Sequence, residues 1–498
     1  MLFNSVSFLI FFPIVVLVYY CLPEKLRKFW LLAASYYFYM SWNAKYAILI
    51  FISTVITFAG GLLLEKVRNS VAGEKRNQRL KKAITAFCVI SNLGILFYFK
   101  YAGFAAETAM RVLERMSVHV EFPVIDPILP VGISFYTFQA LSYTIDVYRG
   151  RTETEHSFIR YALFVSFFPQ LVAGPIERSG NLLKQLAKPL PFQYERARDG
   201  ILLMLWGFFL KIVLADRAAI FVDTVYGDPG SYPGFYLITA TMLFAVQIYC
   251  DFCGYSIIAM GAAKILGITL MENFDAPYLS ATVADFWRHW HISLTSWFKD
   301  YVYIPLGGSR KGTIRKYINK MIVFLLSGLW HGASFTFIVW GGLNGIYQVA
   351  GEALMPLRDR LVTLLGLNRE TFSHKLAKTI FTFILVDFSW IFFRAGSITQ
   401  AMEIIHSILH VKNPWILIDG SLFYCGLDDK NFRILLISII ILFFADFCKR
   451  RKIVIRDVLI RQEYWFRWLF IAVSVVFILT FGIWGSGYNE NSFIYFQF

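Results

Sequence analysis

Two neighbouring stretches carry most of the information in this sequence: DFWRHWHISLTSWFKDYVYIPLGGSRKG at residues 285–312 and FLLSGLWHGASFTFIVWGGLNG at residues 324–345. The second belongs to an apolar run, Met321–Ile338, that has no Asp, Glu, Lys or Arg but contains His331. A titratable side chain is costly inside a membrane segment and is therefore a candidate functional residue. His331 is the first candidate for chemistry, and the rest of the chain has to explain its position.

The composition indicates an integral membrane protein. Of the 498 residues, 57% are hydrophobic and 16% are charged, whereas soluble domains average about 45–50% and about 25%. Long apolar runs recur along the chain, so helices are expected to satisfy the backbone hydrogen bonds. The net charge of +15 fits the excess of Lys and Arg in cytoplasmic loops and contact with anionic lipids. No nucleic-acid-binding motif competes with that interpretation.

The cysteines predict neither a metal site nor a redox site. Cys250 and Cys253 form a CxxC pattern within the apolar sequence YCDFCGY. No second pair and no histidine lies nearby, so both are interpreted as small core residues.

The pattern of charge predicts which segments cross the membrane. The segment Glu65–Lys82 carries seven Lys and Arg residues and is the strongest cytoplasmic signal. The run Phe158–Ala173 is short and has basic residues on both flanks, so it is not expected to cross once. We predict that SFFPQLVAGPIER, residues 166–178, turns back as a broken, re-entrant element. Such backbone is tolerated only where protein or a water-filled cavity covers it, and the sequence therefore predicts an enclosed cavity.

Two further elements are predicted beside His331. The stretch Asp285–Ile304 has apolar residues at helical spacing, which favours one amphipathic helix at the cytoplasmic interface. These residues are Phe286, Trp290, Leu294 and Trp297. The segment Met321–Ala350 is expected to form a membrane hairpin or two broken helices, with the break at WHGAS and with glycines that allow close helix packing.

General base catalysis by a histidine is the simplest activity that the buried histidines predict. A buried neutral histidine is a general base that acts near neutral pH. His291 is the second candidate, and His289, two residues away, is interpreted as an interfacial anchor because it would face the other side of a helix. The chain has no GxSxG motif, no P-loop and no cluster of metal ligands. From the residues alone, a general base in a cavity and an ordinary buried histidine both remain open.

Several motifs together resemble the membrane-bound O-acyltransferase family, and most closely its bacterial alginate O-acetyltransferase-like branch. The D-alanyl transfer proteins of teichoic acid modification are more distantly similar. Besides the two stretches quoted first, the resemblance rests on MLFNS, LPVGISFYTFQALSYTIDVYRG, FFPQLVAGPIER, QIYCDFCGYSIIAMG and NFDAPY. It extends over essentially the whole chain.

The resemblance implies a fold and a set of site residues. The expected fold is all-α and polytopic, with about eleven to thirteen membrane-embedded helices around a central funnel and with re-entrant and interfacial helices. His331 matches the nearly invariant histidine of the family, and His291 matches its second functional position. Relatives that pass acyl groups outward end in an aromatic motif with a tyrosine, here FIYFQF with Tyr495. We therefore list Tyr495 as a candidate acyl acceptor, although an aromatic anchor at the membrane surface is the alternative.

Donor binding is assigned to a basic loop. Arg310 and Lys311 are candidates for contact with the phosphates of coenzyme A, and an ordinary positively charged cytoplasmic loop is the alternative. No metal and no permanently bound cofactor are expected; acetyl-CoA is the expected acyl donor, with an acyl carrier protein as the other possible donor.

The predicted function is transfer of an acetyl group from a cytoplasmic thioester across the membrane for O-acetylation of a cell-envelope or secreted polysaccharide. The expected partners are an extracytoplasmic acetyltransferase of the SGNH type and membrane lipids, and the expected location is the bacterial inner membrane. We predict one membrane domain over residues 1–498: N-terminal helices (1–148), a catalytic core (149–357) and C-terminal helices with the tail (358–498). A transporter of an acyl donor or lipid-linked sugar, a docking scaffold, and D-alanyl transfer to teichoic acid remain alternatives.

Overall fold

The computed structural model describes residues 1–71, 73–118, 128–171, 174–484 and 494. No strand occurs in these ranges. Within them, six helices are long and apolar enough to cross a membrane: Ala44–Arg68, Glu74–Lys100, Phe235–Ile265, Phe372–Arg394, Asp429–Arg450 and Tyr464–Phe481. The predicted all-α, polytopic membrane fold is confirmed. The predicted total of eleven to thirteen embedded elements counts shorter helices as well.

The chain divides into two compact units, and the predicted single domain with its three parts stays a prediction. The first unit comprises residues 1–204 and 256–271, and the second comprises residues 205–255 and 272–498. The helices of the first unit are α1 (Val6–Cys21), α2 (Glu24–Met40), α3 (Ala47–Arg68), α4 (Glu74–Lys100), α5 (Ala102–Arg115), α6 (Ile133–Tyr148), α7 (Phe158–Ser166), α8 (Phe168–Leu171), α9 (Ser179–Ala187) and most of α10 (Tyr194–Phe208).

The first unit contains the break predicted near the sequence FFPQ. Helix α7 has nine residues, about 14 Å in length, and is too short to cross a membrane. Its end at Ser166 is followed by Phe167 with φ −55° and ψ 110°, outside the helical region, before the short α8 begins. Tyr161 of α7 donates a hydrogen bond to Thr57 of α3 at 2.8 Å, so a polar contact inside the unit holds α7 in place. The predicted break in this segment is confirmed, whereas its turning back as a re-entrant element over an enclosed cavity stays a prediction.

The second unit contains the remaining helices. They are α11 (Asp216–Gly227), α12 (Phe235–Ile265, of which residues 256–265 belong to the first unit), α13 (Val283–His289), α14 (Ile292–Phe298), α15 (Thr313–His331), α16 (Phe335–Ala353), α17 (Met355–Leu364), α18 (Phe372–Arg394), α19 (Ile398–Leu409), α20 (Asp429–Arg450), α21 (Ile455–Ile460) and α22 (Tyr464–Phe481). Two π-helical segments, Phe209–Ala215 and Lys299–Tyr303, occur among them.

The predicted hairpin is formed by α15 and α16, and it positions His331. The helices are separated by Gly332–Ser334, as the WHGAS sequence predicts. Ser334 caps α16 by accepting a hydrogen bond from the Thr336 amide at 3.3 Å. At the other end, Lys316 and Lys320 of α15 both pair with Glu352 of α16, the second at 2.6 Å. The hairpin is therefore fixed at both ends.

Direct backbone contact sets the spacing of this hairpin. A Cβ atom at Gly328 would lie 2.2 Å from the carbonyl oxygen of Phe337, and one at Gly341 would lie 2.3 Å from that of Phe324. Neither position has room for a side chain. The two helices consequently pack backbone against backbone, which only glycine permits.

We expect Gly341→Ala to destabilise the protein by about 1–3 kcal/mol, because the added methyl group forces α15 and α16 apart. Thermal unfolding of the purified protein in detergent measures this. The matched control is Gly342→Ala, where a Cβ atom meets nothing closer than Leu325 Cδ2 at 3.7 Å. Both substitutions gain the same helix propensity. Equal unfolding temperatures for the two variants would contradict the packing argument.

Candidate active site around His291 and His331

His331 is the last residue of α15 and is 4% exposed. Aromatic rings surround it: its ring centroid lies 4.9 Å from Trp330, 5.1 Å from Trp340 and 5.3 Å from Phe393, all at steep interplanar angles. Trp340 belongs to α16 and Phe393 to α18. Because three helices contribute to its surroundings, the orientation of the imidazole follows from tertiary packing rather than from α15 alone.

His291 does not lie on a continuous helix, so that prediction is wrong. Helix α13 ends at His289 and α14 begins at Ile292. His291 is the N-cap of α14, with φ 43° and ψ 54°, in the left-handed region that costs a non-glycine residue about 1–2 kcal/mol. The helical spacing of the apolar residues in Asp285–Ile304 did not reveal the break between α13 and α14. His289 and His291 do face different surroundings, as predicted, but the reason is the break between α13 and α14 at Trp290 and His291.

The NFDAPY segment holds this strained backbone in place. The Ile292 amide donates to the Asn273 carbonyl at 2.9 Å, and the Asp275 amide donates to the His289 carbonyl at 3.0 Å. The Ser293 amide also donates to Asn273 Oδ1 at 3.4 Å. These hydrogen bonds bracket His291 on both sides, which is the kind of support that a strained residue requires.

Cations at the end of α20 in turn fix the NFDAPY segment. Lys449 donates to the Phe274 carbonyl at 2.8 Å. Arg450 donates to the Ala276 carbonyl at 3.1 Å and to His289 Nε2 at 3.0 Å. His289 Nδ1 lies 2.8 Å from the Asp285 carbonyl, which makes it the donor in that pair. His289, predicted to be an interfacial anchor, is thus part of the scaffold that supports its neighbour.

The structure brings the two candidate histidines together. The ring centroids of His291 and His331 are 6.4 Å apart, and Trp330 contacts both rings. Phe252 of α12 also packs against His291, with ring centroids 4.7 Å apart. His291 is fully buried. It lies outside the six candidate spans, and burial lowers its pKa from 6.5 to about 3.

A buried amide that the sequence analysis did not single out connects the walls of this site. Asn344 Oδ1 accepts a hydrogen bond from Trp287 Nε1 at 3.1 Å, and its Nδ2 donates to Ser389 Oγ at 3.3 Å. One side chain on α16 thereby joins α13 and α18. Trp340 and Trp390 stack beside it at 5.7 Å. Asn344 lies in the GGLNG sequence quoted above. A polar side chain in an apolar run was the feature of the sequence that could have indicated its importance.

The comparisons with known proteins identify the family. The sequence profile of the membrane-bound O-acyltransferase family matches residues 151–393, which include both histidines. A probable alginate O-acetylase AlgI from Pseudomonas aeruginosa is 36% identical over 402 residues, covering 80% of this chain and 73% of the relative. This chain belongs to the membrane-bound O-acyltransferase family. It is therefore a multi-pass membrane acyltransferase, as predicted.

Other relatives are named for different polymers, peptidoglycan and teichoic acid. The peptidoglycan O-acetyltransferase of Helicobacter pylori is 30% identical over 442 residues, covering 82% of this chain and 80% of the relative. A teichoic acid D-alanyltransferase of Bacillus subtilis is 30% identical over 224 residues, covering 42% of this chain and 56% of the relative. The more distant similarity to D-alanyl transfer proteins is confirmed.

The acyltransferase also contains a buried ionic cluster that the sequence analysis missed. Lys211 Nζ lies 2.8 Å from Asp216 Oδ1 and 2.6 Å from Asp251 Oδ1, and all three side chains are at most 3% exposed. Lys211 lies in the π-helical segment Phe209–Ala215, and such segments are frequent at functional sites. A lysine inside the apolar run GFFLKIVLA was the signal that could have revealed it.

The remaining predicted site residues have different outcomes. Tyr495 lies outside the described residues. Its neighbour Ile494 is described and buried, and the Ile494 amide donates to Asp251 Oδ2 at 2.8 Å. Arg310 and Lys311 lie in an exposed turn just before α15. Since α15 has 19 residues and His331 is at its far end, about 28 Å separates this turn from the histidine.

Metal chemistry finds no support in the described part of the chain, where no three His, Cys, Asp or Glu side chains converge as ligands. The expectation of a site without metal stays a prediction, as do the roles of the two histidines.

We expect the low pKa of His291 to make stability depend on pH. The unfolded chain binds a proton at this residue below about pH 6.5, but the folded chain does not until about pH 3. Stability is thus fully present above pH 6.5 and is lost as the pH falls. For a single group the loss is about 2 kcal/mol between pH 7 and pH 5.

The variant His291→Gln removes this titration and isolates its effect. Thermal unfolding temperatures of both proteins, measured from pH 7 to pH 5 in detergent, should fall more steeply for the wild type. Parallel curves would show that His291 is not held neutral by burial.

Proposed function

We propose that this acyltransferase takes an acetyl group from a cytoplasmic thioester, acetyl-CoA, and moves it across the bacterial inner membrane for O-acetylation of a cell-envelope or secreted polysaccharide. The observation that carries this proposal is the pair of buried histidines, 6.4 Å apart, within an aromatic enclosure. The names of the relatives support the chemistry, since they include a probable alginate O-acetylase and a peptidoglycan O-acetyltransferase.

His331 acts as the general base in this proposal. Transfer of an acetyl group from a thioester to a hydroxyl breaks the C–S bond and forms a C–O bond. His331 accepts the proton of the hydroxyl and returns it to the leaving thiolate. The rings of Trp330, Trp340 and Phe393 exclude water that would otherwise hydrolyse the thioester.

His291 orients one of the reactants as a neutral hydrogen-bonding group. Its low pKa keeps it uncharged throughout the physiological range. A neutral imidazole both donates and accepts hydrogen bonds. Hydrogen bonds on both sides of His291 hold its left-handed backbone, which fixes the orientation of the imidazole. Fixed orientation of the reacting groups is a large part of the rate advantage of an enzyme over the reaction in solution.

The C-terminal tail supplies the hydroxyl in this scheme. Tyr495 accepts the acetyl group as a phenolic ester and passes it to an extracytoplasmic SGNH-type transferase, which esterifies the polymer. Two contacts support this role. The amide of the preceding residue, Ile494, is bonded to Asp251, and the residue after Asp251, Phe252, packs against His291. Arg310 and Lys311 remain the proposed contacts for the phosphates of the donor.

We expect His331→Ala to reduce thioester turnover by about 10²–10⁴-fold, the usual contribution of a general base. Purified full-length protein is incubated with acetyl-CoA, and released coenzyme A is quantified by chromatography. His410→Ala is the matched control because His410 is exposed on the same unit. Undiminished turnover in a correctly folded His331→Ala protein would contradict the assignment.

We expect Tyr495→Phe to abolish polymer acetylation while the protein remains folded, since the ring is kept and only the hydroxyl is lost. Mass spectrometry of envelope polysaccharides from cells that carry each variant measures the acetyl content. Tyr464→Phe, an exposed tyrosine at the start of α22, is the control. Normal acetylation by Tyr495→Phe would refute the relay and leave the role of His331 untouched.

A further inference from the structure

A basic cleft in the first unit lies apart from the two histidines in sequence and belongs to none of the chemistry above. It has a volume of about 240 Å³ and is formed by the ends of α1 and α2, by α7 and α9, and by residues 266–268. Its floor includes the buried side chains of Leu31, Leu163 and Leu266. The cleft therefore combines an apolar floor with charged residues.

The charged residues that line the cleft are mostly basic. Lys25, Arg27, Lys28 and Arg160 face a single acidic residue, Glu24. Arg160 pairs with Glu155 at 3.4 Å. Within the described ranges, Lys25, Arg27 and Lys28 form no ion pair with a carboxylate. Three positive charges thus line a small concave space, and an anion is the ligand that their charge attracts.

Arg27 is the residue best prepared to bind that anion. It is 9% exposed, and its Nε and Nη1 donate to the carbonyls of Leu22 and Leu190 at 3.1 and 3.3 Å. Its guanidinium also lies over the rings of Tyr19 and Tyr20 at 5.2 and 5.5 Å. The Tyr19 hydroxyl is a further hydrogen-bond partner of this side chain. A guanidinium has five N–H donors, so these contacts leave some of them available. The guanidinium is therefore fixed in position with donors left over, which suits a phosphate oxygen.

Exposed apolar residues beside the cleft favour an anion that belongs to a lipid over one that belongs to a soluble molecule. Leu26 and Phe29 on α2, and Leu190 and Phe192 after α9, are each about half exposed. They belong to the same unit as the cleft and provide exposed apolar surface of the kind that favours contact with acyl chains. Basic pockets beside membrane helices on the cytoplasmic side are suited to anionic lipid headgroups.

We propose that this cleft binds the phosphate of an anionic glycerophospholipid such as phosphatidylglycerol. The phosphate contacts Arg27 and is flanked by Lys25 and Lys28, and the acyl chains lie along Leu26 and Phe29. The proposal is independent of the proposed acyl transfer.

Lipid binding is tested with the double variant Lys25→Gln/Lys28→Gln of the full-length protein. At the start of α2, Lys25 is exposed and Lys28 is partly exposed, and neither is a buried core residue, so the substitutions leave the core intact. Native mass spectrometry in detergent gives the apparent Kd for phosphatidylglycerol and for phosphatidylcholine. We expect the wild type to prefer phosphatidylglycerol and the double variant to bind it roughly tenfold or more weakly, since each lysine near an anionic headgroup contributes about 1 kcal/mol.

The matched control is Lys75→Gln/Lys82→Gln, which removes the same charge from exposed positions on α4. It should change the Kd for phosphatidylglycerol by less than about threefold, or roughly 0.6 kcal/mol. An equal loss in both double variants would overturn the proposal in favour of general electrostatic attraction. Equal binding of the two lipids would also overturn it. Strong competition by inorganic pyrophosphate without any lipid preference would assign the cleft to a soluble phosphate ligand instead.

Discussion

The left-handed backbone at His291 is the constraint on which the second unit depends. This conformation persists only because hydrogen bonds from the NFDAPY segment hold the chain on both sides of it. That segment is itself held by Lys449 and Arg450 at the end of α20. A membrane-embedded helix, a loop and a strained residue therefore form one chain of support. The orientation of the His291 imidazole therefore depends on residues that are distant in sequence.

The second histidine is held by a different physical principle. His331 is positioned by backbone contact between α15 and α16 and by the aromatic rings that pack against it. The glycines set the distance between the helices, and the amide of Asn344 ties them to α13 and α18. Hydrogen bonds thus hold His291, and apolar contacts hold His331. Trp330 contacts the rings of both histidines.

The buried Lys211 lies between two buried carboxylates. Lys211 is neutralised by Asp216 and Asp251, which offsets the large cost of removing ions from water. The second oxygen of Asp251 accepts the Ile494 amide. The cluster thereby serves two purposes: it provides carboxylates for a buried lysine, and it holds the last described residue of the chain at Asp251. The residue that follows Asp251 in sequence, Phe252, contacts His291.

The functional position of His291 came from the resemblance to the family and, like that of His331, stays a prediction. The residues themselves were enough to predict the all-helical membrane fold, the break at WHGAS, the broken helix near FFPQ and His331 as a candidate. These follow from local physics: apolar length, proline and glycine positions, and the cost of a histidine in an apolar run. Tertiary contacts were needed to show that α13 and α14 are separate helices and that the ring centroids of His291 and His331 lie 6.4 Å apart. They also showed that Asn344 hydrogen-bonds to α13 and α18 and that Lys211 pairs with two carboxylates. Helical spacing is a local property, but the hydrogen bonds that hold the break at His291 involve Asn273 and Asp275, and no periodicity in residues 285–304 indicates them.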